Sequence, residues 1–283
     1  MKYRGEIYLA DNLEVLRQLK TGSVDLIYID PPFNTGRVQT RAQLRTVRDE
    51  QGDRSGFQGH RYRTERGARR QYQDDFGDDF LSFLQPRLQE AWRVLAADGA
   101  LFFHIDYREA HYCKVLLDQI VGSRTHFMNE IIWAYDYGAR SRSRWPAKHD
   151  TIFWYAKDPK NYTFNFEAMD RIPYMAPGLV GPEKAARGKT PTDVWWHTIV
   201  PTAGSEKTGY PTQKPLGIVR RIVAVHSKPD DLVLDFFAGS GTTGAAALEL
   251  DRRFILVDQN PEAVAVMRTR FAQAQGLRWH NAP

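Results

Sequence analysis

Cysteine is almost missing from this chain. One of its 283 residues is a cysteine, Cys113, so no internal disulfide can form and a reducing compartment suits the protein. The eight histidines are scattered, and no Cys/His cluster has the spacing of a zinc site, so no metal is expected. No apolar run approaches the ~20 residues that a membrane helix needs, and Met1-Lys2-Tyr3-Arg4 does not open a secretory signal. Together these absences predict a soluble, untargeted, cytoplasmic protein with no membrane segment. An apolar content of 42% is ordinary for a globular core and excludes a disorder-dominated chain. The length suits one large α/β domain with an appendage.

Excess charge is also scarce, except in one place. The net charge is +5, yet residues 37 to 70 carry ten arginines, Arg37, Arg41 and Arg45 among them, against four acids, so the rest of the chain is slightly acidic. A basic cluster is the electrostatic footprint of a nucleic-acid partner, although a solvated charged loop has the same composition. The stretch has four glycines and almost no apolar periodicity. It is predicted to be a mobile basic loop over 37–72 that folds over phosphates on binding.

That loop follows the most informative stretch, Asp25-Leu26-Ile27-Tyr28-Ile29-Asp30-Pro31-Pro32-Phe33-Asn34-Thr35-Gly36. Its first half is a short apolar run closed by turn formers, the pattern of a buried strand. Asp30 then sits at a strand's carboxyl end. The two prolines remove backbone donors and favour extended geometry, leaving carbonyl oxygens free beside a carboxylate and an aromatic ring. Such a cup suits a flat group bearing an NH2; a Pro-Pro turn alone could equally just end a strand.

Elsewhere strands and helices alternate. Glu6 to Ala10 reads as a strand, and Leu13, Leu16 and Leu19 mark a helix capped by Asp11 or Asn12. Phe80, Phe83, Leu84, Leu88, Trp92 and Leu95 mark another helix, ended by Asp98-Gly99 and followed by a strand to Ile105 and a helix over His111 to Val121. This alternation predicts a mostly parallel sheet with helices on both faces. Between residues 122 and 205 aromatic and basic residues interleave, a pattern able to stack on bases and neutralise phosphates; Arg140, Arg142, Arg144 and Lys148 are too charged for an interior.

Near the far end, Val233-Leu234-Asp235-Phe236-Phe237-Ala238-Gly239-Ser240-Gly241-Thr242-Thr243-Gly244 runs from a strand into a glycine turn, where backbone N–H groups can approach a ligand at a helix start. Gly239, Gly241 and Gly244 satisfy G-x-G-x-x-G, and Asp258 closes the next strand, as in a nicotinamide-binding fold. That fold needs a second mononucleotide half after the first, and thirty-nine residues follow Gly244. A phosphate loop fails as well, since Ala245 stands where lysine is required.

Asp30-Pro31-Pro32-Phe33 resembles the catalytic tetrad of amino-group DNA methyltransferases, and the 233–244 stretch resembles the same family's S-adenosylmethionine motif. Catalytic motif before cofactor motif is the order of the β class. Tyr210-Pro211-Thr212-Gln213-Lys214-Pro215 is similar to the element that precedes the cofactor strand and helps hold the methionine end. The resemblance implies a permuted Rossmann-like α/β sheet with a small DNA-recognition insertion. Its halves would be residues 1–121 (catalytic) and 206–283 (cofactor), flanking a target-recognition region at 122–205.

The resemblance also implies roles. Asp30, Pro31, Pro32 and Phe33 would be catalytic. S-adenosylmethionine would be held by Asp11 at its adenine, Asp258 at its ribose, and Asp30, Lys214, Asp235, Phe236, Phe237, Ala238, Gly239, Ser240, Gly241 and Thr242 around the rest. The expected reaction is methylation of adenine N6 in a base flipped out of double-stranded DNA. Cytosine N4, an RNA or protein-glutamine substrate, and an inactive DNA-binding module are the alternatives. Carbon-5 chemistry needs an activated thiolate, and Cys113 lies inside a stretch that reads as an amphipathic helix. A homodimer, a companion restriction endonuclease and a place at the prokaryotic nucleoid complete the expectations.

Overall fold

The computed structural model describes residues 3–34, 39–48, 51, 54–55, 61–72, 77–138, 140–201, 204 and 206–281. A nine-stranded sheet forms its centre. Six strands run parallel in the order β12 (Leu277–His280), β1 (Gly5–Leu9), β11 (Arg253–Asp258), β10 (Leu232–Asp235), β2 (Val24–Ile29) and β6 (Leu95–Asp106). Beyond β6 the sheet turns antiparallel through β8 (His149–Ala156) and β7 (Phe127–Ala134), and ends with β9 (Val194–Trp196).

The pattern within β2 explains its central place. Leu26 and Tyr28 join the core on one face of the sheet, Ile27 and Ile29 the core on the other, and all four are buried. A strand covered on both faces must be apolar at consecutive positions, hence the unbroken run in the sequence. The helices α1 (Asn12–Gln18), α2 (Phe80–Val94) and α3 (Ala110–Val121) supply one face. The other face is covered by α5 (Leu216–His226), α6 (Thr242–Glu249) and α7 (Pro261–Arg270), while the short α4 (Pro182–Arg187) contributes no buried residue. Each fully buried Leu, Ile or Phe contributes about 1.5–3 kcal/mol of transfer free energy, so the two cores hold the layers together.

The permuted order is visible in one pairing. Val233 and Leu234 of β10 stand beside Leu26 and Ile27 of β2, in parallel. Asp30 and the glycine turn, distant in the chain, thus leave adjacent strands at the same edge of the sheet.

Two expectations are corrected. Residues within 37–72, read as a loop, instead form regular strands: β3 (Gln39–Arg48) pairs antiparallel with β5 (Arg61–Tyr72), and β4 (Arg54–Ser55) adds a third short strand. Ladder hydrogen bonds are made by the backbone and need no apolar period, and Thr40, Thr46, Val47, Tyr62, Thr64 and Tyr72 all favour extended chain. Within 122–205, β7, β8 and β9 extend the main sheet. The helix expected over residues 78–95 runs Phe80–Val94, whereas Asp98-Gly99, read as its stop, lies within β6.

Candidate active site

A cavity of about 420 Å³ opens where β2, β10 and β11 end, lined by Asn12, the Asp30–Phe33 turn, Lys214, the Asp235–Ser240 turn and Asp258. It adjoins a wider cleft of about 1310 Å³. Phe33, Tyr210, Thr212, Gln213 and Lys214 border both spaces. The Pro-Pro turn therefore reaches their junction through Phe33.

Asp30 is held asymmetrically. Lys214 Nζ donates to its Oδ2 at 2.5 Å, within a pair whose side chains are 9% and 17% exposed. Oδ1 is buried and has no hydrogen-bond partner among the described residues. An orphaned buried acceptor costs about 1–3 kcal/mol, a cost that a ligand donor would relieve. The Lys214 ammonium also lies 4.4 Å from the Phe33 ring centroid. Lys214, expected from the resemblance at the cofactor, is bonded to the Asp30 carboxylate.

The cofactor turn is built from its own hydrogen bonds. Asp235 accepts from Phe237 N at 3.0 Å and from Thr243 Oγ1 at 2.6 Å, so both carboxylate oxygens brace the turn. Gly239 and Gly241 have φ of +48° and +74°, and a Cβ on Gly241 would lie 2.9 Å from Met267 Cγ. Glycine is required there. Asp258 accepts from Gly239 N and Asn260 N, each at 2.8 Å, and faces the cavity. Phe236, Phe237, Ala238, Ser240 and Thr242 line the cavity too, whereas Gly241 shapes the turn without lining it.

Burial pushes the Asp235 carboxyl up to about 7, against the hydrogen bonds from Thr243 and Phe237, and the neighbouring Asp30 and Asp258 charges add to the rise. Burial likewise raises Asp258 to about 6, offset in part by its two backbone donors. Three acids around one small cavity give it a field that favours a cation.

Asp11 does not join them. It caps α1 by accepting from Leu13 N at 2.8 Å, and Arg87 Nη2 donates to it at 2.9 Å. Its neighbour Asn12 lines the cavity instead, fixed by its amide donating to Phe236 O at 2.7 Å and by Arg87 Nε donating to its Oδ1 at 2.6 Å.

Beneath the cleft lies a buried chain that no sequence motif announced. His104 Nε2 lies 3.0 Å from Asp150 Oδ2 and His104 Nδ1 lies 2.7 Å from Tyr28 Oη, while Tyr135 Oη donates to Asp150 Oδ1 at 2.9 Å. A carboxylate only accepts, so Nε2 carries a proton, and Nδ1 pairs with the Tyr28 hydroxyl. Burial alone would raise the Asp150 carboxyl, but the hydrogen bond from His104, the Lys214 ammonium and the Tyr135 hydroxyl hold it below the usual carboxylate range. Tyr28 lines the cavity and Asp150 the cleft, so the chain spans the two.

Of the basic residues expected at DNA, Arg140, Arg142 and Arg144 are exposed, and Arg140 and Arg144 line the cleft. Lys148 is bonded to Asp136. Arg37 lies outside the described residues. Arg41 and Arg45 are described by their backbone, in β3 opposite Arg70 and Glu65. The Asn34 amide, donating to Gly77 O at 3.0 Å and Glu109 Oε1 at 2.9 Å, ties the two ends of this basic segment together.

A family model described as DNA methylase (N6_N4_Mtase) matches residues 24–269. The chain is 27% identical over 267 residues to the DNA adenine methyltransferase YhdJ of Escherichia coli K12, covering 90% of this chain and 78% of that protein. It is similar in structure to the cytosine-N4-specific PvuII DNA methyltransferase, at 17% identity and a TM-score of 0.65, with 97% and 89% of the two chains covered. TTHA0409, a putative DNA modification methylase of Thermus thermophilus solved in complex with S-adenosyl-L-methionine, shares 19% identity and a TM-score of 0.61, with 99% of each chain covered.

Proposed function

Because the chain belongs to the N6/N4 family of DNA methylases, we propose that it transfers a methyl group from S-adenosylmethionine to the exocyclic N6 of adenine in double-stranded DNA. The observation that carries this reading is the buried Asp30 Oδ1, an acceptor without a donor among the described residues, on the cavity wall beside Phe33, which borders both cavity and cleft.

The cavity's donor set fits the cofactor. Asp258 has a lone pair left on each oxygen for a ribose diol, and the acid cluster suits a sulfonium and an ammonium. The cofactor, when bound, supplies an electrophilic methyl group. Lys214 fixes Oδ2, which leaves Oδ1 and the Pro31 carbonyl to accept the amino hydrogens of the target. Those two bonds turn the nitrogen lone pair out of the ring's conjugation. Phe33 offers its ring to the base, and positioning does most of the catalytic work. The methylated nitrogen must shed a proton, and Oδ1 is the acceptor with no competing donor. An amine inside the stack cannot reach this turn, so the nucleotide is extruded.

Adenine is preferred to cytosine because Asp, rather than Ser, opens the tetrad, and the adenine enzyme YhdJ is a relative. DNA methylated with labelled cofactor, digested to nucleosides and analysed by mass spectrometry tests the choice, with label expected in deoxyadenosine. Label in deoxycytidine alone would move the reaction to N4 and leave the cup intact. Asp30→Ala should abolish transfer while cofactor and DNA still bind; loss of all three would make Asp30 structural.

A further inference from the structure

The most exposed large aromatic side chain among the described residues is Trp145, at 95%. It belongs to residues 135–148, which join β7 to β8 and are longer than an ordinary hairpin connection. The sheet register fixes where this connection stands. Asp150 of β8 pairs with Asp106 at the end of β6, and β6 runs parallel to β2. The connection therefore rises from the same sheet edge as Asp30, two strand spacings away, about 10 Å.

The loop is braced rather than loose. Tyr135 N donates to Lys148 O at 3.1 Å, the Tyr137 hydroxyl to Ala147 O at 3.3 Å, and Lys148 to Asp136. At its tip Ser141 Oγ accepts from Ser143 N at 3.3 Å and Arg144 N at 3.2 Å. Pro146 fixes its own φ and narrows the backbone choices of Trp145. An indole held nearly naked in water by a built loop has a surface to offer. Arg140 and Arg144 line the same cleft as Trp145, and so do Phe33 and Lys214.

We propose that Trp145 is a wedge that enters the duplex at the target step and fills the stack when the nucleotide swings into the cleft, which rests on the base-extrusion reading above. Extruding a base breaks its stacking on two neighbours, and apolar side chains inserted between base steps can replace that contact. The two arginines fit the phosphates on either side of the gap. Phe33 stacks on the base; Trp145 stacks on what the base leaves behind.

The test compares wild type, Trp145→Ala and Trp145→Phe on two duplexes carrying the target site located by methylation mapping. In one duplex the target adenine is paired, and in the other it faces an abasic site and is already loosely held. Single-turnover methylation with labelled cofactor is followed on both, and 2-aminopurine fluorescence at the target position reports extrusion. Trp145→Ala should be slower by about ten- to hundredfold on the paired duplex, the scale of one stacked aromatic. It should match wild type on the abasic-opposed duplex, with Trp145→Phe close to wild type on both. A wild-type rate for Trp145→Ala on the paired duplex, or the same loss on both duplexes, would overturn the wedge. Wild-type activity on the abasic-opposed duplex reports the amino-methylation reading separately, because no wedge is needed there.

Discussion

Lys214→Met removes the cation from Asp30 and keeps most of the side-chain volume. In the native site the two side chains are 9% and 17% exposed and bonded at 2.5 Å, so the pair is largely shielded from water. Taking one partner from a buried pair costs about 3–5 kcal/mol, because the remaining charge is left without compensation. Asp30 lines a cavity large enough to admit water, which favours the lower end. At about 2–4 °C per kcal/mol for a chain of this size, the melting temperature should fall by roughly 6–12 °C. Asp30→Asn/Lys214→Met, which removes both charges, should recover most of that loss. Thermal melts of the three variants give the coupling, and titration with the cofactor separates the two roles open to Lys214. As the anchor of Asp30 it should leave cofactor affinity nearly unchanged while transfer collapses. A wild-type melting temperature for Lys214→Met, together with a large loss of cofactor affinity, would refute the anchoring and restore the lysine to the cofactor.

Asp258→Ala should weaken cofactor binding by about 1–3 kcal/mol, the scale of a charge-assisted hydrogen bond, with DNA binding unchanged; calorimetric titration checks it. Asp235 and Asp258 are raised to about 7 and about 6, so both are protonated in acid and the cavity loses its field for a cation. Cofactor affinity should fall as pH drops from about 8 to about 5. The same two groups bind more protons folded than unfolded between about pH 4 and 7, so their contribution to apoprotein stability declines as pH rises through that window. Titrations and melts across the range test both signs, and a cofactor affinity flat in pH would exclude the acid cluster from binding. Replacing Arg41 and Arg45 by serine should lower the salt slope of DNA binding by about one per lost phosphate contact, read from affinities at several salt concentrations.

The adjacency of Asp30 and the glycine turn was legible in the sequence because both are abrupt ends of apolar runs, and their chain order requires the permuted sheet. The basic hairpin was not legible, since its stretch of sequence has almost no apolar periodicity and what defines the strands is backbone pairing. Asp11 and Asn12 exchanged places for a local reason: a cap uses the first of two polar residues, and the second is turned inward to Phe236. The Tyr28, His104 and Asp150 chain links three strands across the sheet. His104 lies inside an apolar run that reads only as core, and Asp150 at the start of another. Lys214 shows the limit of motif reading, because a motif gives a neighbourhood and only geometry gives the bond.

The pairing of β2 with β10 also sets a clock on the ribosome. The Pro-Pro turn emerges early, but the strand that lies beside it and the turn that completes the cavity arrive about 200 residues later. At about 5–20 residues per second, tens of seconds separate the two. Until then β2 has a vacant edge, and Asp30 has neither Lys214 at one oxygen nor the acid cluster nearby. The cavity is therefore complete only once β10 has docked beside β2, so the last strands to be made are the ones that finish what the second strand began.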